Sequence, residues 1–174
     1  KYFPGMEPDG NQVITYKEAM IPEKQPKSLV IIGAGAIGVE FAHFYQTFGT
    51  EVTLIEAFPN ILPVEDLDIS KELEKLFKKR KMNILTNTMV DKIEKLNSKV
   101  KVHLKGGEIV EAEKALIAVG VKGNVEGLGL EDCSITVDKG WIKVNEYLQT
   151  SQPNVYAIGD VAGPPWLAHK ASTE

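Results

Sequence analysis

Three glycines, Gly33, Gly35 and Gly38, stand between a short apolar segment and a longer segment of helical periodicity. Residues 29–32 read Leu-Val-Ile-Ile, a run that is typical of a strand buried on both faces of a parallel sheet. A strand that passes through a glycine turn into a helix predicts the first half of a βαβ unit, whose second strand lies parallel to the first. We therefore expect an α/β fold built around a parallel sheet.

The segment after this turn predicts a helix that ends at Gly49, because glycine is favoured just past a helix C-terminus. Five apolar side chains recur at helical spacing and are expected to face the core: Ile37, Phe41, Phe44, Tyr45 and Phe48. A second strand is predicted at residues 51–56 and a third at residues 83–86. Strand, helix and strand thus alternate as right-handed crossovers require.

A second helix is predicted between the second and third strands. Asp66 and Asp68 supply the side chains that start a helix, and the basic residues 78–81 suit its last turn. Its apolar side chains are expected to be Ile69, Leu73, Leu76 and Phe77.

An antiparallel meander is predicted to interrupt this alternation. Residues 100–104 and 109–110 carry alternating apolar side chains on either side of two glycines, as in a hairpin. Residues 115–119 predict another buried strand, and residues 154–158 a later one. A further strand pair is expected around Ile135 and Ile142.

Residues 33–38 match the pattern GxGxxG, and the strand and helix around them direct backbone N–H groups toward a site for the phosphates of a dinucleotide. Glu56 follows Gly38 by 18 residues, near the separation of about 20 at which a ribose-binding acid is expected. A carboxylate there favours NAD over NADP, because it repels a 2′-phosphate. The alternatives are a glycine turn that serves only packing and a solvated glutamate at a strand end.

Composition excludes several other classes of function. The 174 residues carry a formal net charge of −4 and no basic stripe with interleaved aromatics, which argues against a nucleic-acid partner. No apolar run approaches the roughly 18 residues of a membrane span. His43 and His103 have no Cys or carboxylate at ligand spacing, so no metal site is expected, and His169 is interpreted as structural. Cys133, the single cysteine, is expected to be a buried or semi-buried structural thiol.

Five motifs together resemble the flavoprotein disulfide reductases, and within that family the dihydrolipoamide dehydrogenases. They are GAGAIGVE at residues 33–40, ILP at 61–63, AVG at 118–120, YAIGD at 156–160 and LAHKA at 167–171. The resemblance covers essentially the whole chain. It implies a Rossmann-type parallel sheet with an inserted antiparallel β-meander, flanked by partial FAD-domain segments.

The resemblance also implies a domain organisation. Residues 1–25 would be the tail of the first FAD-domain half and a linker, residues 26–120 the NAD-binding domain, and residues 121–174 the truncated start of the second FAD-domain half. Because the sequence begins at Lys1 and not at a methionine, we interpret it as a piece of a longer protein.

Individual residues acquire roles through the same resemblance. For NAD, the resemblance implies a pyrophosphate loop made of Gly33, Ala34, Gly35, Ala36, Ile37 and Gly38. It implies that Glu56 binds the adenosine ribose and that Val90 contacts the adenine. The segment beside the nicotinamide would be Ala118, Val119, Gly120 and Val121. The positions implied for FAD are Asp160, toward the ribityl chain, and Ala168, through its backbone. Glu40 falls near the flavin, and its lysine partner would lie in the first FAD half. No catalytic residue is expected in this chain.

Departures from the family pattern qualify this picture. Val121, Lys122 and Gly123 stand where the family usually has an arginine and a proline. Ala36 stands where some relatives carry an aromatic gate, which predicts an open nicotinamide pocket. The redox cysteine pair, the first FAD fingerprint and the histidine base are absent from these residues. The chain alone is therefore expected to bind NAD weakly and to catalyse nothing.

The predicted function is the NAD(H)-binding portion of a dihydrolipoamide dehydrogenase, which positions nicotinamide against FAD for hydride transfer. The resemblance implies a homodimeric parent enzyme within 2-oxo acid dehydrogenase complexes, in the bacterial cytoplasm or the mitochondrial matrix. Two alternatives stay open: a sister flavoprotein, such as an NADH oxidase, a mercuric reductase or a transhydrogenase, and a non-catalytic NAD-sensing module.

Overall fold

The computed structural model describes residues 2–174, which divide into two compact units, one ending at Gly120 and the other running from Val121 to Glu174. In chain order, the first unit contains β1 (Val13–Ile14), α1 (Tyr16–Met20), β2 (Ser28–Ile32), α2 (Ala36–Thr47), β3 (Glu51–Ile55), α3 (Leu67–Lys79), β4 (Asn83–Leu85), β5 (Val90–Lys95), β6 (Val100–Leu104), β7 (Ile109–Ala112) and β8 (Lys114–Ile117).

Five of these strands form a parallel sheet in the order β1-β8-β2-β3-β4. The chain moves outward from β2 through β3 to β4, then returns to the other side of β2 as β8. The order of the strands therefore reverses between β2 and β8. In open α/β sheets, ligands bind at the carboxyl ends of the strands beside such a reversal.

Both faces of the sheet are covered, as the continuous apolar run of β2 requires. Leu29 and Ile31 pack in one core with side chains of α2 and α3. Val30 and Ile32 face the opposite core, which includes buried residues of the meander. The predicted α/β fold with a parallel sheet and an inserted antiparallel meander is confirmed.

The meander has three strands, because β5 pairs with β6 in addition to the predicted hairpin of β6 and β7. The sequence pattern did not reveal β5. Its pairing register shifts between Val90 and Lys92, and this irregularity breaks the alternation of apolar and polar residues.

The predicted core face of α2 is partly wrong. Phe44 and Phe48 are 48% and 62% exposed, whereas Tyr45 is buried and Ile37 and Phe41 are partly buried. Besides Tyr45, the buried residues of α2 are smaller: Gly38, Val39 and Ala42. Small side chains allow the helix to approach the sheet closely, which leaves the two phenylalanines on the outer side.

In α3 the predicted start is confirmed, since the Asp66 side chain accepts a hydrogen bond from the backbone N–H of Asp68. The apolar face is again narrower than predicted. Ile69 and Leu76 are exposed, while Phe77 is buried together with Ser70.

The segment before β2 is rich in proline and glycine, yet it contains a strand and a helix. Val13 and Ile14 pair with Ala115 and Leu116 of β8, so β1 extends the sheet of the first unit. Helix α1 was not predicted, although Thr15 and Glu18 form a capping box at its start.

The second unit contains the hairpin of β9 (Val137–Asp138) and β10 (Trp141–Ile142), a 3-10 helix (Gly159–Ala162) and α4 (Ala168–Thr173). The predicted strand at residues 154–158 is wrong, because Tyr156 makes only an isolated bridge to Gln149. Ile135 lies outside the hairpin strands. None of the helices within residues 2–174 has the length and apolar character needed to cross a bilayer.

The prediction of a buried Cys133 is wrong. The thiol is exposed, because Cys133 lies in a turn whose backbone closes on itself, with the Cys133 N–H donating to the Gly129 carbonyl and the Ile135 N–H to the Leu130 carbonyl. A short turn of this kind has no interior in which to bury a side chain.

Candidate functional site

Two glycines of the turn after β2 are fixed by contacts within the chain. Gly33 has a φ of +100°, and a Cβ there would lie 2.4 Å from the carbonyl oxygen of Ala118. A Cβ on Gly38 would lie 1.9 Å from the carbonyl oxygen of Gly33. Neither position can hold a larger residue without moving backbone, so the turn packs tightly against the start of α2 and the end of β8.

Gly35 differs, because nothing in the protein requires a glycine there. Its φ of −70° and ψ of −175° suit any residue, and a Cβ would meet no atom within 4 Å. Gly35 is the N-cap of α2, and no side chain caps this helix. The first N–H groups of α2 thus border open space, where the positive end of the helix dipole favours an anion.

Glu56 follows β3 directly and reaches back to the turn. Its side chain is buried, with the residue 6% exposed. Its Oε2 accepts a hydrogen bond of 2.7 Å from the backbone N–H of Ala34, and its Oε1 accepts one of 3.0 Å from that of Phe58. Each carboxylate oxygen has capacity for another donor. The alternative of a solvated glutamate is therefore wrong.

Ala34 is held from its other side by a residue that the sequence did not single out. The backbone N–H of Leu62 donates to the Ala34 carbonyl at 2.7 Å, and the Ser70 hydroxyl donates to the Leu62 carbonyl at 3.2 Å. Leu62 belongs to the ILP motif, but no role follows from that motif alone. What distinguishes Leu62 is a positive φ at a buried position, and a backbone angle cannot be read from the sequence.

The residues predicted for the nicotinamide segment divide between the units. Ala118 touches the glycine turn, and Val119 and Gly120 follow it at the end of the first unit, whereas Val121 begins the second. Val90, predicted for the adenine site, is the first residue of β5 and is buried in the core on the meander side of the sheet.

Glu40 lies on the exposed side of α2, on a groove between α2 and α3 with a volume of about 350 Å³. The groove floor is apolar and includes Leu73 and Phe77. At its other end, the Arg80 guanidinium lies 3.0 Å from Nδ1 of His43. Glu40 lies about one helical turn along α2 from the N-cap residue Gly35.

In the second unit, Asp160 is exposed in the 3-10 helix and Ala168 is exposed at the start of α4. These two elements pack together, since a Cβ on Gly159 would lie 3.0 Å from the Cβ of Ala171. Glu174 joins them by accepting a hydrogen bond from the Gly159 N–H, and the Lys170 ammonium beside it lowers the pKa of its carboxyl group.

His103, for which the sequence suggested no partner, lies 2.9 Å from a carboxylate oxygen of Glu94 on the neighbouring strand. This hydrogen bond lowers the pKa of Glu94. Within residues 2–174 there is no group of three or more side chains arranged to hold a metal ion.

Comparison with known proteins assigns this arrangement to a family. A model of the pyridine nucleotide-disulphide oxidoreductases matches residues 2–174. The dihydrolipoyl dehydrogenase of Rhizobium etli is 45% identical over 98% of this chain, and that of Bacillus subtilis is 44% identical over all of it. The chain spans only 36% and 38% of the lengths of these two relatives.

Solved structures of flavoprotein disulfide reductases and related enzymes also match the chain. LpdA from Mycobacterium tuberculosis matches 99% of this chain with a TM-score of 0.91 and 30% identity, and the chain covers 38% of it. The HOCl-induced flavoprotein disulfide reductase RclA from Escherichia coli matches 98% with a TM-score of 0.88 and 29% identity, and 39% of it is covered. The chain belongs to the pyridine nucleotide-disulphide oxidoreductase family.

Proposed function

We propose that the glycine turn of the first unit binds the pyrophosphate of NAD(H), and that the chain is the NAD(H)-binding portion of a dihydrolipoamide dehydrogenase. The observation that carries this proposal is the contrast between the glycines. Packing explains Gly33 and Gly38, whereas no contact within the chain requires a glycine at position 35, and a ligand that approaches the backbone there accounts for it. The names of the relatives at 44–45% identity support the choice of enzyme.

The residues present fit a dinucleotide. The unpaired N–H groups in the first turn of α2 would hold the pyrophosphate, since no side chain competes for them. The remaining lone pairs of Glu56 would accept hydrogen bonds from the adenosine ribose. Its charge, in a buried position, would repel a 2′-phosphate, so NADH should bind more tightly than NADPH.

The other residues would orient the two ends of the dinucleotide. Val90 would border the adenine, and residues 118–121 would lie beside the nicotinamide, where small side chains leave room for the ring. When bound, the nicotinamide ring carries hydride to or from a flavin. The contribution of this chain is therefore to bind and orient, and not to transfer protons.

In the second unit, the exposed carboxylate of Asp160 and the backbone at Ala168 fit a role in holding FAD. Residues 1–25 and 121–174 would then flank the NAD-binding domain at residues 26–120 as parts of an FAD domain, with β1 as the point at which the first flank joins the sheet of the first unit. Glu40 would lie near the flavin in the parent enzyme, which we propose to be a homodimer serving 2-oxo acid dehydrogenase complexes in the cytoplasm or mitochondrial matrix.

The chain has a single cysteine and therefore lacks a redox dithiol. We expect the 174-residue chain to show no lipoamide-dependent turnover of NADH. Robust turnover by the purified chain would contradict this assignment.

Equilibrium titration of the chain with NADH and with NADPH tests the binding proposal. We expect weak binding of NADH, weaker binding of NADPH, and a loss of NADH affinity in Glu56→Ala. Unchanged affinity in that variant would overturn the cofactor assignment. Tight NADH binding by the chain alone would instead support an NAD-sensing module.

A further inference from the structure

We infer that Leu62 and Ser70 form a strut that holds Ala34, and through it sets the position of the glycine turn for the dinucleotide. This inference rests on the proposed function and assigns positioning residues to the same site. The bonds of the strut run from the Ser70 hydroxyl to the Leu62 carbonyl, and from the Leu62 N–H to the Ala34 carbonyl.

Every polar backbone group of Ala34 is thus satisfied from outside the turn. Its N–H donates to Glu56, and its carbonyl accepts from Leu62. Ala34 is fully buried, so water does not supply alternatives for these bonds. The residue between Gly33 and Gly35 is therefore located by two separate parts of the chain, the end of β3 and the loop before α3.

Leu62 adopts an unfavourable backbone conformation to make this contact. Its φ is +48°, in the left-handed region that disfavours a residue with a Cβ, and it is 9% exposed. Such a conformation persists only where the surroundings fix it. Ser70, itself 2% exposed on α3, supplies one of those constraints by binding the Leu62 carbonyl. The hydroxyl of Ser70 thereby connects α3 to the glycine turn.

The variant Ser70→Ala removes the hydroxyl without adding bulk. Its matched control is Thr50→Val, because Thr50 is also buried and also donates its hydroxyl to a backbone carbonyl, that of Pro26. Thr50 precedes β3 and so lies at the amino ends of the parallel strands, whereas the glycine turn lies at their carboxyl ends. Ser70→Ala loses one hydrogen bond, and Thr50→Val loses two, the bond to Pro26 and the one that Thr50 accepts from the Gln25 side-chain amide. The control therefore removes at least as much hydrogen bonding as Ser70→Ala, but only Ser70→Ala breaks the strut.

Two measurements on the 174-residue chain test the inference: the Kd for NADH, and the exchange rates of the Ala34 and Leu62 amide hydrogens without nucleotide. We expect Ser70→Ala to raise the Kd by about three- to tenfold, as the loss of one hydrogen bond allows, and to speed exchange of both amides. Thr50→Val should change neither the Kd nor these two rates.

Equal effects of the two variants, or no effect of Ser70→Ala, would overturn the inference. If the wild-type chain binds no NADH, the proposed function is contradicted, and amide hydrogen exchange alone then tests whether the strut exists. Faster exchange of Leu62 and Ala34 in Ser70→Ala only would support it, and unchanged exchange would overturn it.

Discussion

The Oε2 atom of Glu56 lies 2.7 Å from the backbone nitrogen of Ala34, and both residues are buried. This contact exists because β2 and β3 are parallel and in register, with Ile32 opposite Ile55, so the residues that follow the two strands meet at one edge of the sheet. The acid at the strand end and the glycine turn are thus one hydrogen-bonded unit. A change to the acid should therefore affect the stability of the turn as well as the binding of a nucleotide.

Glu56→Gln should lower the free energy of unfolding by about 1–3 kcal/mol, as measured by urea denaturation. The carboxylate accepts from two backbone N–H groups, whereas an amide offers one acceptor and places its NH₂ group against the other donor. NADH affinity should fall as well.

Glu51→Gln is the control for this substitution. Glu51 is exposed at the opposite end of β3, so its variant should match the wild type in both measurements. A fully stable Glu56→Gln variant would contradict the structural role of the carboxylate.

Substitution of the glycines should separate fold from binding. Gly38→Ala should destabilise the protein by about 3 kcal/mol or more, because the new methyl group would overlap the Gly33 carbonyl. Gly35→Ala should lower the free energy of unfolding by about 1 kcal/mol at most, because the loss of a favourable N-cap residue is partly offset by the lower entropy of the unfolded chain. It should weaken NADH binding about tenfold, because its methyl group would occupy the space open to a ligand.

Gly106→Ala is the matched control, since Gly106 also has open space around it and needs no positive φ. It should leave both quantities unchanged. If Gly35→Ala binds NADH as well as the wild type does, the space beside Gly35 is not the pyrophosphate site.

The acid dependence of stability should include a contribution from Asp9. Partial burial acts to raise the pKa of this carboxyl group, but hydrogen bonds from the N–H groups of Asn11, Val13 and Gln12 and the ion pair with Lys95 lower it to about 2. A lowered pKa stabilises the folded state above the ordinary value near 4, and this contribution is lost as the pH falls toward 2.

Asp9→Asn, which removes the charge, should therefore cost about 1 kcal/mol at pH 7 and at pH 5, after allowance for solvent screening, and progressively less below pH 4. Urea denaturation across this pH range measures the difference. Asp91→Asn, at an exposed position of β5, is the control variant for removal of a carboxylate. A cost for Asp9→Asn that stays constant down to pH 2 would contradict the assignment.

The single thiol should be accessible in the folded protein. Cys133 is exposed, so iodoacetamide should alkylate one equivalent in the native chain at nearly the rate seen in denaturant. Protection of the thiol until the chain unfolds would show that this turn is buried in solution.

The parallel sheet was predictable because its strands are continuous apolar runs and its first turn carries three glycines. The position of Glu56 was predictable from its separation from the glycines, since the acid at the end of the second strand is expected about 20 residues after the glycine turn. The core face of α2 was not. Phe44 and Phe48 recur at helical spacing, but the helix approaches the sheet through Gly38 and Ala42. A pattern of large apolar residues does not reveal a contact that small residues make.

The parts of the site that the sequence did not reveal depend on backbone conformation. Leu62 contributes an N–H and a carbonyl, which every leucine has, and only its positive φ aims them at Ala34 and Ser70. The shift of pairing register in β5 is likewise a backbone feature. The capping box of α1 was different, because Thr15 and Glu18 stand at the standard spacing and could have been recognised.

Titration of the isotopically labelled chain with NADH, followed by the backbone amide resonances of residues 33–38, tests the central claim most directly. We predict that the resonances of Gly35, Ala36 and Ile37 shift progressively and saturate with NADH, while those of the meander turn at Gly106 stay in place. Saturable NADH binding that leaves residues 33–38 unshifted, or no binding at millimolar NADH, would contradict a dinucleotide site at the glycine turn.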